Sequence, residues 1–176
     1  MNNPITSRET YDCVVLGGGP AGSTAAALIA AEGYSTLLVE REQFPRRHVG
    51  ESLMPEAYWI FERLGVLDEL KASRFSRKVG VQFVSHNGRE SAPFFFRSHD
   101  DRESSDTWHV NRDEFDQLLL DNAGRHGAEC RLGVRALDVL WDGERAVGVR
   151  LQAGAAEQRQ TASIAARVVI DATGQQ

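Results

Sequence analysis

The stretch Tyr11–Ala31, YDCVVLGGGPAGSTAAALIAA, decides the fold of this chain. Its first six residues are rich in β-forming side chains and end at three glycines, a pattern typical of a buried parallel strand. Pro20 suits the first turn of a helix, where its missing N–H group is not needed, and the alanine-rich run that follows favours a helix. Thr36–Glu40 (TLLVE) predicts a second strand. Together these segments predict a βαβ unit.

The glycines between the first strand and the helix have the spacing GxGxxG. Gly17 allows a tight turn, Gly19 lets a diphosphate approach the backbone, and Gly22 lets the helix pack closely on the strand. Glu40 ends the next strand, where a carboxylate accepts hydrogen bonds from an adenosine ribose. The motif alone does not distinguish FAD from NAD, and a glycine turn in an unrelated α/β protein is the alternative. The predicted nucleotide-binding residues here, including the helix N-terminus that faces the anion, are Gly17, Gly19, Pro20, Ala21, Gly22 and Glu40.

Composition and charge argue against several classes of protein. The chain has 176 residues and a net charge of -5, which argues against nucleic-acid binding because that requires a basic face. Cys13 and Cys130 form no CxxC pair, so we expect a reducing, cytoplasmic setting without a disulfide framework. The uncharged run from Cys13 to Ala31 is interrupted by glycines and a proline, so we expect no transmembrane segment. The histidines lack metal-ligand spacing, and no metal site is predicted.

The remaining pattern alternates helices and strands. Asn87-Gly88 predicts a hairpin turn between strands at Val79–Ser85 and Ala92–Phe96. The polar run Arg97–Asp106 predicts an exposed loop. Further helices are predicted from Pro55, at Leu67–Ala72 and after Asn111, and further strands at Thr107–Val110 and Glu129–Leu132. Three strands, Ala136–Trp141, Ala146–Leu151 and Thr161–Ala165, predict a meander. Val168–Asp171 predicts a buried parallel strand.

Four segments resemble one family, in the same order along the chain. DCVVLGGGPAGSTAAALIA resembles the opening of FAD-dependent monooxygenases of the para-hydroxybenzoate hydroxylase type. FPRRHVGESLMPEAYWIFERLGVLDEL resembles the flavin-dependent halogenase branch, which also includes geranylgeranyl-reductase-like proteins. VNRDEFDQLLLDNAGRHGAE and VVIDATG match later segments. The resemblance implies an α/β fold in which a Rossmann-like domain binds FAD through a central parallel sheet and a β-meander. Residues 75–110 would contribute to a second sheet on the substrate side.

The resemblance also implies further FAD contacts, each with a structural alternative. Arg41 would lie against the adenosine, or it is a solvated arginine. Arg112 would reach the ribityl–phosphate region, a role that suits a permanent charge with forked donors, or it is a surface residue. Gly50, Glu51 and Ser52 would lie near the flavin ring, or they form a helix entry that Ser52 or a neighbour caps, and both can hold together. Asp171 and Gly174 would mark the strand end that passes FAD, or Asp171 caps a helix.

Lys78 is the candidate catalytic residue. The pattern Phe75-x-x-Lys78-x-Gly80-x-x-Phe83 resembles the segment that holds the active lysine of flavin-dependent halogenases. There a halide is oxidised with reduced flavin and oxygen, and the lysine ammonium holds or captures the hypohalous species. A lysine suits this role because its compact ammonium donates three hydrogen bonds. Non-halogenating relatives carry a similar segment, and the alternative is a strand-edge lysine that faces water.

The resemblance predicts a flavin-dependent oxidoreductase of the halogenase or monooxygenase type. It would act with reduced FAD and oxygen on a small-molecule or carrier-bound substrate, and a separate flavin reductase is a possible partner. The family pattern continues beyond Gly174, so residues 1–176 are expected to be the N-terminal part of an FAD-binding domain that is not competent alone. The alternatives are a non-catalytic nucleotide-binding remnant and a geranylgeranyl-reductase-like flavoprotein.

Overall fold

The computed structural model describes residues 10–154 and 159–174 of the chain. In chain order its strands are β1 (Thr10–Leu16), β2 (Thr36–Glu40), β3 (Ser76–Lys78), β4 (Gly80–Val81), β5 (Phe94–Phe95), β6 (Thr107–His109), β7 (Glu129–Leu132), β8 (Val134–Asp142), β9 (Arg145–Ala153) and β10 (Gln160–Asp171). The α-helices are α1 (Pro20–Ala31), α2 (Tyr58–Arg63), α3 (Leu67–Ala72) and α4 (Arg112–Arg125). The described residues form two compact units, of which the second is His48–Arg112.

The first unit contains a six-stranded sheet in the order β7-β2-β1-β10-β9-β8. Strand β1 pairs in parallel with β2 on one side and β10 on the other, and β2 pairs in parallel with β7. Strand β9 pairs antiparallel with both β10 and β8, which makes the predicted meander. The α/β fold with a parallel centre is therefore confirmed, including the unit β1-α1-β2.

Burial explains why β1 occupies the middle of the sheet. Val14, Val15 and Leu16 are all buried although successive side chains of a strand point to opposite faces. Such a strand is covered on both sides, as its continuous apolar sequence predicts. Val14 and Leu16 belong to a core that includes Leu37, Val39, Val134, Val149, Leu151, Ile164 and Ala166.

The end of the meander differs from the sequence expectation. Thr161–Ala165 and Val168–Asp171 were predicted as separate strands, but both belong to the continuous strand β10. The residues that join them contain no glycine, proline or asparagine to turn the chain. Strand β10 pairs with β9 through its first half and with β1 through its second. Val168 is 52% exposed, so the prediction that this segment is buried on both faces is also wrong.

The second unit has two short strand pairs, β3 with β6 and β4 with β5. The predicted turn at Asn87-Gly88 is present, since Gly88 has a φ of 78° and donates its N–H to the Ser85 carbonyl at 2.9 Å. The predicted flanking strands are shorter than expected. Ser85 and Ser91 bond backbone groups through their hydroxyls, and Pro93 has no N–H to donate, so the ladder is interrupted.

The polar run Arg97–Asp106 is not wholly exposed. It includes 3₁₀ turns at Phe96–Ser98 and Glu103–Ser105, and Ser104 and Ser105 are buried. The Ser105 hydroxyl donates to the Asp100 carbonyl at 2.6 Å. A short serine can be buried when its hydroxyl is satisfied locally, and the sequence-based prediction overlooked this.

No helix in residues 10–154 and 159–174 is long and apolar enough to cross a membrane. The same described residues bring together no group of three or more His, Cys, Asp or Glu side chains that would hold a metal ion.

Cys130 gives the first unit a measurable pH dependence. Burial, followed by the carboxylates of Asp121 and Glu129, raises the pKa of its thiol from 9.0 to about 11. A thiol whose pKa is higher in the folded than in the unfolded protein stabilises the fold at pH values below its unfolded pKa. That stabilisation is lost as the pH rises through the folded pKa. The stability advantage of the wild type over Cys130→Ala should therefore shrink between pH 9 and 11. Urea unfolding at pH 8 and pH 10 measures it, and equal differences at both values would contradict this assignment.

Candidate functional site

The loop after β1 is fixed by the backbone around Gly17. Gly17 has a φ of 106°, which side-chain-bearing residues rarely adopt, and donates its N–H to the Val39 carbonyl at 2.8 Å. A Cβ atom there would lie 2.5 Å from the carbonyl oxygen of Ala172. Ala172 in turn donates its N–H to the Leu16 carbonyl at 2.8 Å. The fold itself therefore requires glycine at position 17.

Packing of the folded chain requires glycine at position 22 but not at position 19. A Cβ atom on Gly22, inside α1, would collide with the backbone carbonyl oxygen of Gly17, so the close approach of helix and loop requires glycine. Gly19 precedes α1 with φ −70° and ψ −178°, a conformation open to any residue. A Cβ atom on Gly19 would meet only the tip of Arg46, at 3.6 Å. Nothing in residues 10–154 and 159–174 demands glycine there. The close approach of a diphosphate to Gly19 stays a prediction.

Glu40 is buried at the end of β2 and braces the same loop. Its Oε2 accepts the N–H of Gly18 at 2.7 Å, and its Oε1 accepts the N–H of Glu42 at 2.9 Å. A carboxylate offers about four acceptor positions, so capacity for a ribose hydroxyl remains. Arg41, by contrast, is largely exposed and lies 3.5 Å from Glu42. Its predicted adenosine contact stays a prediction.

Arg46 was not selected from the sequence, although it lies within the FPRRH segment. Its Nη2 atom is 3.8 Å from Glu40 and 3.6 Å from the fully buried Asp116 of α4. The guanidinium also lies over the Phe44 ring, 4.9 Å from the centroid. Sequence spacing contained no signal for it, because the chain folds back from β2 to bring this side chain beside Gly19.

At the C-terminal end of β10, Asp171 closes a tight turn. Its Oδ1 accepts hydrogen bonds from the Thr173 N–H at 3.0 Å and the Thr173 hydroxyl at 2.7 Å, and these lower the pKa of the Asp171 carboxyl. Gly174 has a φ of 77°. The described residues thus show Asp171 as the cap of a turn, and contact of Asp171 and Gly174 with FAD stays a prediction.

In the second unit, Arg112 holds the loop that contains Gly50. Its Nη1 donates to the Val49 carbonyl at 2.7 Å and lies 3.4 Å from the Gly50 carbonyl. Gly50 has a φ of 101°, and a Cβ atom there would lie 3.1 Å from the same nitrogen. The arginine is almost buried, so the alternative of a surface residue is wrong. Its predicted contact with FAD remains a prediction.

Glu51 and Ser52 continue as extended backbone beside β6. The Val110 N–H donates to the Glu51 carbonyl at 2.8 Å, and the Leu53 N–H donates to the Trp108 carbonyl at 3.0 Å. The 3₁₀ turn that follows is preceded by Met54 and has no side-chain cap, so the suggested capping role of Ser52 is wrong. The side chains of Glu51 and Ser52 are exposed, and their contact with a flavin ring stays a prediction.

Lys78 lies in β3 and is only 6% exposed, so the alternative of a strand-edge lysine that faces water is wrong. Its ammonium donates a hydrogen bond to the Leu53 carbonyl at 2.9 Å and lies 3.6 Å from the Met54 sulfur. The Phe96 ring centroid is 5.4 Å away. Leu53 and Met54, which directly follow Ser52, therefore meet Lys78 at this ammonium although Leu53 and Lys78 are 25 residues apart in sequence.

The charge of Lys78 has no anionic counterpart. Within the described part of the chain, no carboxylate lies within ion-pair distance of the ammonium. The Leu53 carbonyl takes one of three N–H donors, and a thioether is a weak acceptor. A buried ammonium with so few partners costs folding free energy. Such an arrangement is typical of a residue retained for chemistry, since a hydrophobic side chain would cost less there.

A cleft of about 260 Å³ lies in the same unit and shares Phe96 with the lysine cluster. The Phe94 and His99 rings on its wall stack with centroids 4.0 Å apart and planes 8° from parallel. The cleft is lined by Pro55, Glu56, Trp59, Phe94, Phe96, His99, Asp100, Arg102, Ser104 and Ser105. Flat aromatic walls with a few polar groups suit a small aromatic ligand.

Polar groups at the cleft are held by Arg102. Its guanidinium pairs with Asp100 at 2.6 Å and lies 6.0 Å from the Trp59 ring centroid. The hydrogen bonds from Arg102 lower the pKa of Asp100 to about 2, so the pair is ionised at neutral pH.

Comparisons with known proteins found similar sequences and structures. A family model described as tryptophan halogenase matches residues 12–103, the region that contains the glycine loop, residues 50–52 and Lys78. A 1H-pyrrole-2-carbonyl-(peptidyl-carrier protein) chlorinase of Pseudomonas fluorescens is 33% identical over 184 residues. That match covers 96% of this chain and 40% of the chlorinase. A tryptophan 2-halogenase of Chondromyces crocatus is 38% identical over 161 residues, which cover 92% of this chain and 30% of that enzyme.

A solved structure extends the similarity to three dimensions. The myxobacterial chondrochloren halogenase CndH, a variant of FAD-dependent halogenases, superimposes with a TM-score of 0.85 at 39% identity. The superposition covers 95% of this chain and 38% of that protein. The chain thus spans less than half the length of each of these three proteins.

Proposed function

Because the chain belongs to the tryptophan halogenase family of flavin-dependent halogenases, we propose that it is an FAD-binding oxidoreductase that halogenates an organic substrate with reduced flavin, oxygen and halide. The observation that carries the proposal is Lys78, a buried ammonium bonded to one carbonyl and unmatched by any carboxylate in the described residues. This side chain belongs to the same chain as a complete GxGxxG loop.

The glycine loop fits the diphosphate of FAD. The space beside Gly19 where a Cβ would lie is open enough for a diphosphate oxygen, and Glu40 retains acceptor capacity for the adenosine ribose. The N-terminus of α1 presents backbone N–H groups and a positive partial charge to an anion. The residues that would hold the adenosine diphosphate half are Gly17, Gly19, Pro20, Ala21, Gly22 and Glu40, with Arg41 against the adenosine. Gly50, Glu51, Ser52, Arg112, Asp171 and Gly174 would contact the remainder of the cofactor.

Lys78 would direct the halogen. The bound cofactor would supply the oxidising chemistry, since reduced flavin and oxygen together can oxidise a halide to a hypohalous species. The Lys78 ammonium would hold the oxygen of that species by a hydrogen bond while the halogen passes to the substrate carbon. The oxygen–halogen bond would break, the carbon would lose its proton, and the oxygen would leave as water. The Leu53 carbonyl and the Phe96 ring keep the ammonium in position. Because no carboxylate pairs with the ammonium, its donors are available to a neutral, polar oxidant.

The substrate we propose is an aromatic ring, either free or attached to a carrier. The cleft that shares Phe96 with Lys78 has the flat apolar walls that an aryl or pyrrolyl group requires. A relative that covers most of this chain acts on a pyrrole-2-carbonyl group held by a peptidyl-carrier protein. A separate flavin reductase would supply the reduced cofactor, and residues 75–110 would form the substrate-side portion of the FAD-binding domain.

The experiment uses the protein encoded by the full open reading frame that contains this sequence, and supplies FAD, NADH, a flavin reductase, oxygen and bromide. It offers a phenol, a pyrrole-2-carboxylic thioester and a geranylgeranyl compound as substrates. A halogenase gives bromide-dependent, brominated product detectable by mass spectrometry. A hydroxylase would add oxygen without bromide, a geranylgeranyl-reductase-like flavoprotein would reduce an isoprenoid double bond, and a non-catalytic remnant would bind nucleotide without product. Any of these three results would contradict the proposal.

A further inference from the structure

Arg46 is a nearly buried arginine whose donors are unused. Its side chain is 11% exposed, and its Nε atom is buried without a hydrogen-bond partner. Its contacts with Glu40 and Asp116 are 3.8 and 3.6 Å, longer than the 2.7–2.9 Å that is typical of a charge-assisted hydrogen bond. Within the described residues, the guanidinium therefore carries five N–H donors and makes ion pairs but no hydrogen bond.

The place where these donors lie is the mouth of the glycine loop. Apart from Gly19 and its two neighbours in the chain, the Nη2 atom is the only atom of the described residues within 4 Å of the position that a Cβ on Gly19 would take. Gly19 immediately precedes α1, whose first N–H groups lack partners within the helix. An anion that approaches Gly19 thus meets backbone donors on one side and a guanidinium fork on the other.

Electrostatics explains why a cation is needed at this position. Glu40 and Asp116 are both buried near the loop, and two carboxylates would repel an incoming diphosphate. Arg46 lies within ion-pair distance of both. A guanidinium can remain close to both carboxylates while its free donors turn towards phosphate oxygens, because its planar fork binds two oxygens at once.

We infer that Arg46 binds the diphosphate of the dinucleotide, an inference that rests on the proposed FAD binding. The arginine closes the anion site opposite the N-terminus of α1, and its loose contacts with Glu40 and Asp116 hold it there before the ligand arrives. The competing interpretation is a clamp that only ties α4 to β2. A clamp has no preference for phosphate, so ligands with and without a diphosphate separate the two roles.

The test titrates ADP and adenosine into apo protein by calorimetry and records thermal unfolding of each variant. Arg46→Gln removes a cation that lies within ion-pair distance of two buried carboxylates, and so lowers the unfolding temperature. The double variant Arg46→Gln with Asp116→Asn removes one positive and one negative charge, so we expect it to remain folded and suitable for the binding titration. Arg47→Gln removes the same charge from an exposed neighbour and serves as the matched control.

If Arg46 binds the diphosphate, the double variant loses affinity for ADP by about 10- to 100-fold while its affinity for adenosine changes less than about twofold. The control keeps wild-type affinity for both. Wild-type ADP affinity in the double variant would show a structural clamp and overturn the inference alone. Equal losses for ADP and adenosine would also overturn it. Wild-type protein that binds neither would overturn both this inference and the proposed cofactor.

Discussion

Lys78→Met is expected to reduce halogenated product by roughly 10²- to 10³-fold, the loss typical of removing one positioned donor from a reaction centre. Methionine preserves the approximate length and apolar stem of the side chain but donates no hydrogen bond. FAD affinity should not change, because the phosphate and ribose contacts that we propose belong to the glycine loop. Product formation by mass spectrometry and FAD affinity by fluorescence quenching measure the two effects.

The same substitution should not destabilise the protein. The Lys78 ammonium is buried with one carbonyl acceptor, so removing the charge also removes its desolvation cost. We expect the unfolding temperature of Lys78→Met to equal or exceed that of the wild type. Lys71→Met is the matched control, since Lys71 is more exposed and pairs with Glu103. Bromination retained in Lys78→Met, or lost equally in Lys71→Met, would exclude the catalytic role.

Gly22→Ala should have the largest effect on stability. The added methyl group would collide with the Gly17 carbonyl oxygen, and both the helix and the loop are backbone that cannot move aside cheaply. We expect a loss of more than about 3 kcal/mol in the free energy of unfolding, beyond the range of ordinary overpacking. Urea unfolding monitored by circular dichroism measures it.

Gly124→Ala provides the opposite outcome as a control. Gly124 lies inside α4, and nothing lies within 4 Å of the position of its added Cβ. Replacing a helical glycine with alanine in open space should stabilise the protein by roughly 0.5–1 kcal/mol. A Gly22→Ala variant as stable as the wild type would mean that α1 does not pack closely against the Gly17 carbonyl.

The parts of the fold that could be predicted are those where local pattern and tertiary structure agree. The apolar run of β1, the proline at the start of α1 and the strand TLLVE each specify one element, and the structure contains all three. The position of β2 beside β1 in a parallel sheet followed from the βαβ rule. The glycine loop was recognisable because two of its glycines, Gly17 and Gly22, are required by the backbone geometry itself.

Other features depended on groups distant in sequence. The continuity of β10 depends on partners on both sides, β9 for one half and β1 for the other. The burial of Lys78 depends on Leu53 and Phe96, which approach from other segments. Arg46 reaches Gly19 only because the loop after β2 folds back. Propensity and spacing describe single segments, so none of these three relations was visible in them.

The most direct test of the account is the titration of FAD and ADP into wild-type protein and Gly19→Val. Gly19 has an ordinary extended conformation, and only the flexible tip of Arg46 lies near its missing Cβ, so the variant should fold with a wild-type unfolding temperature. Its added methyl groups would occupy the space that the diphosphate needs. We expect the wild type to bind both ligands and the variant to bind both at least about tenfold more weakly. A folded Gly19→Val variant with wild-type affinity, or a wild type that binds neither ligand, would contradict the assignment of this loop as the FAD site.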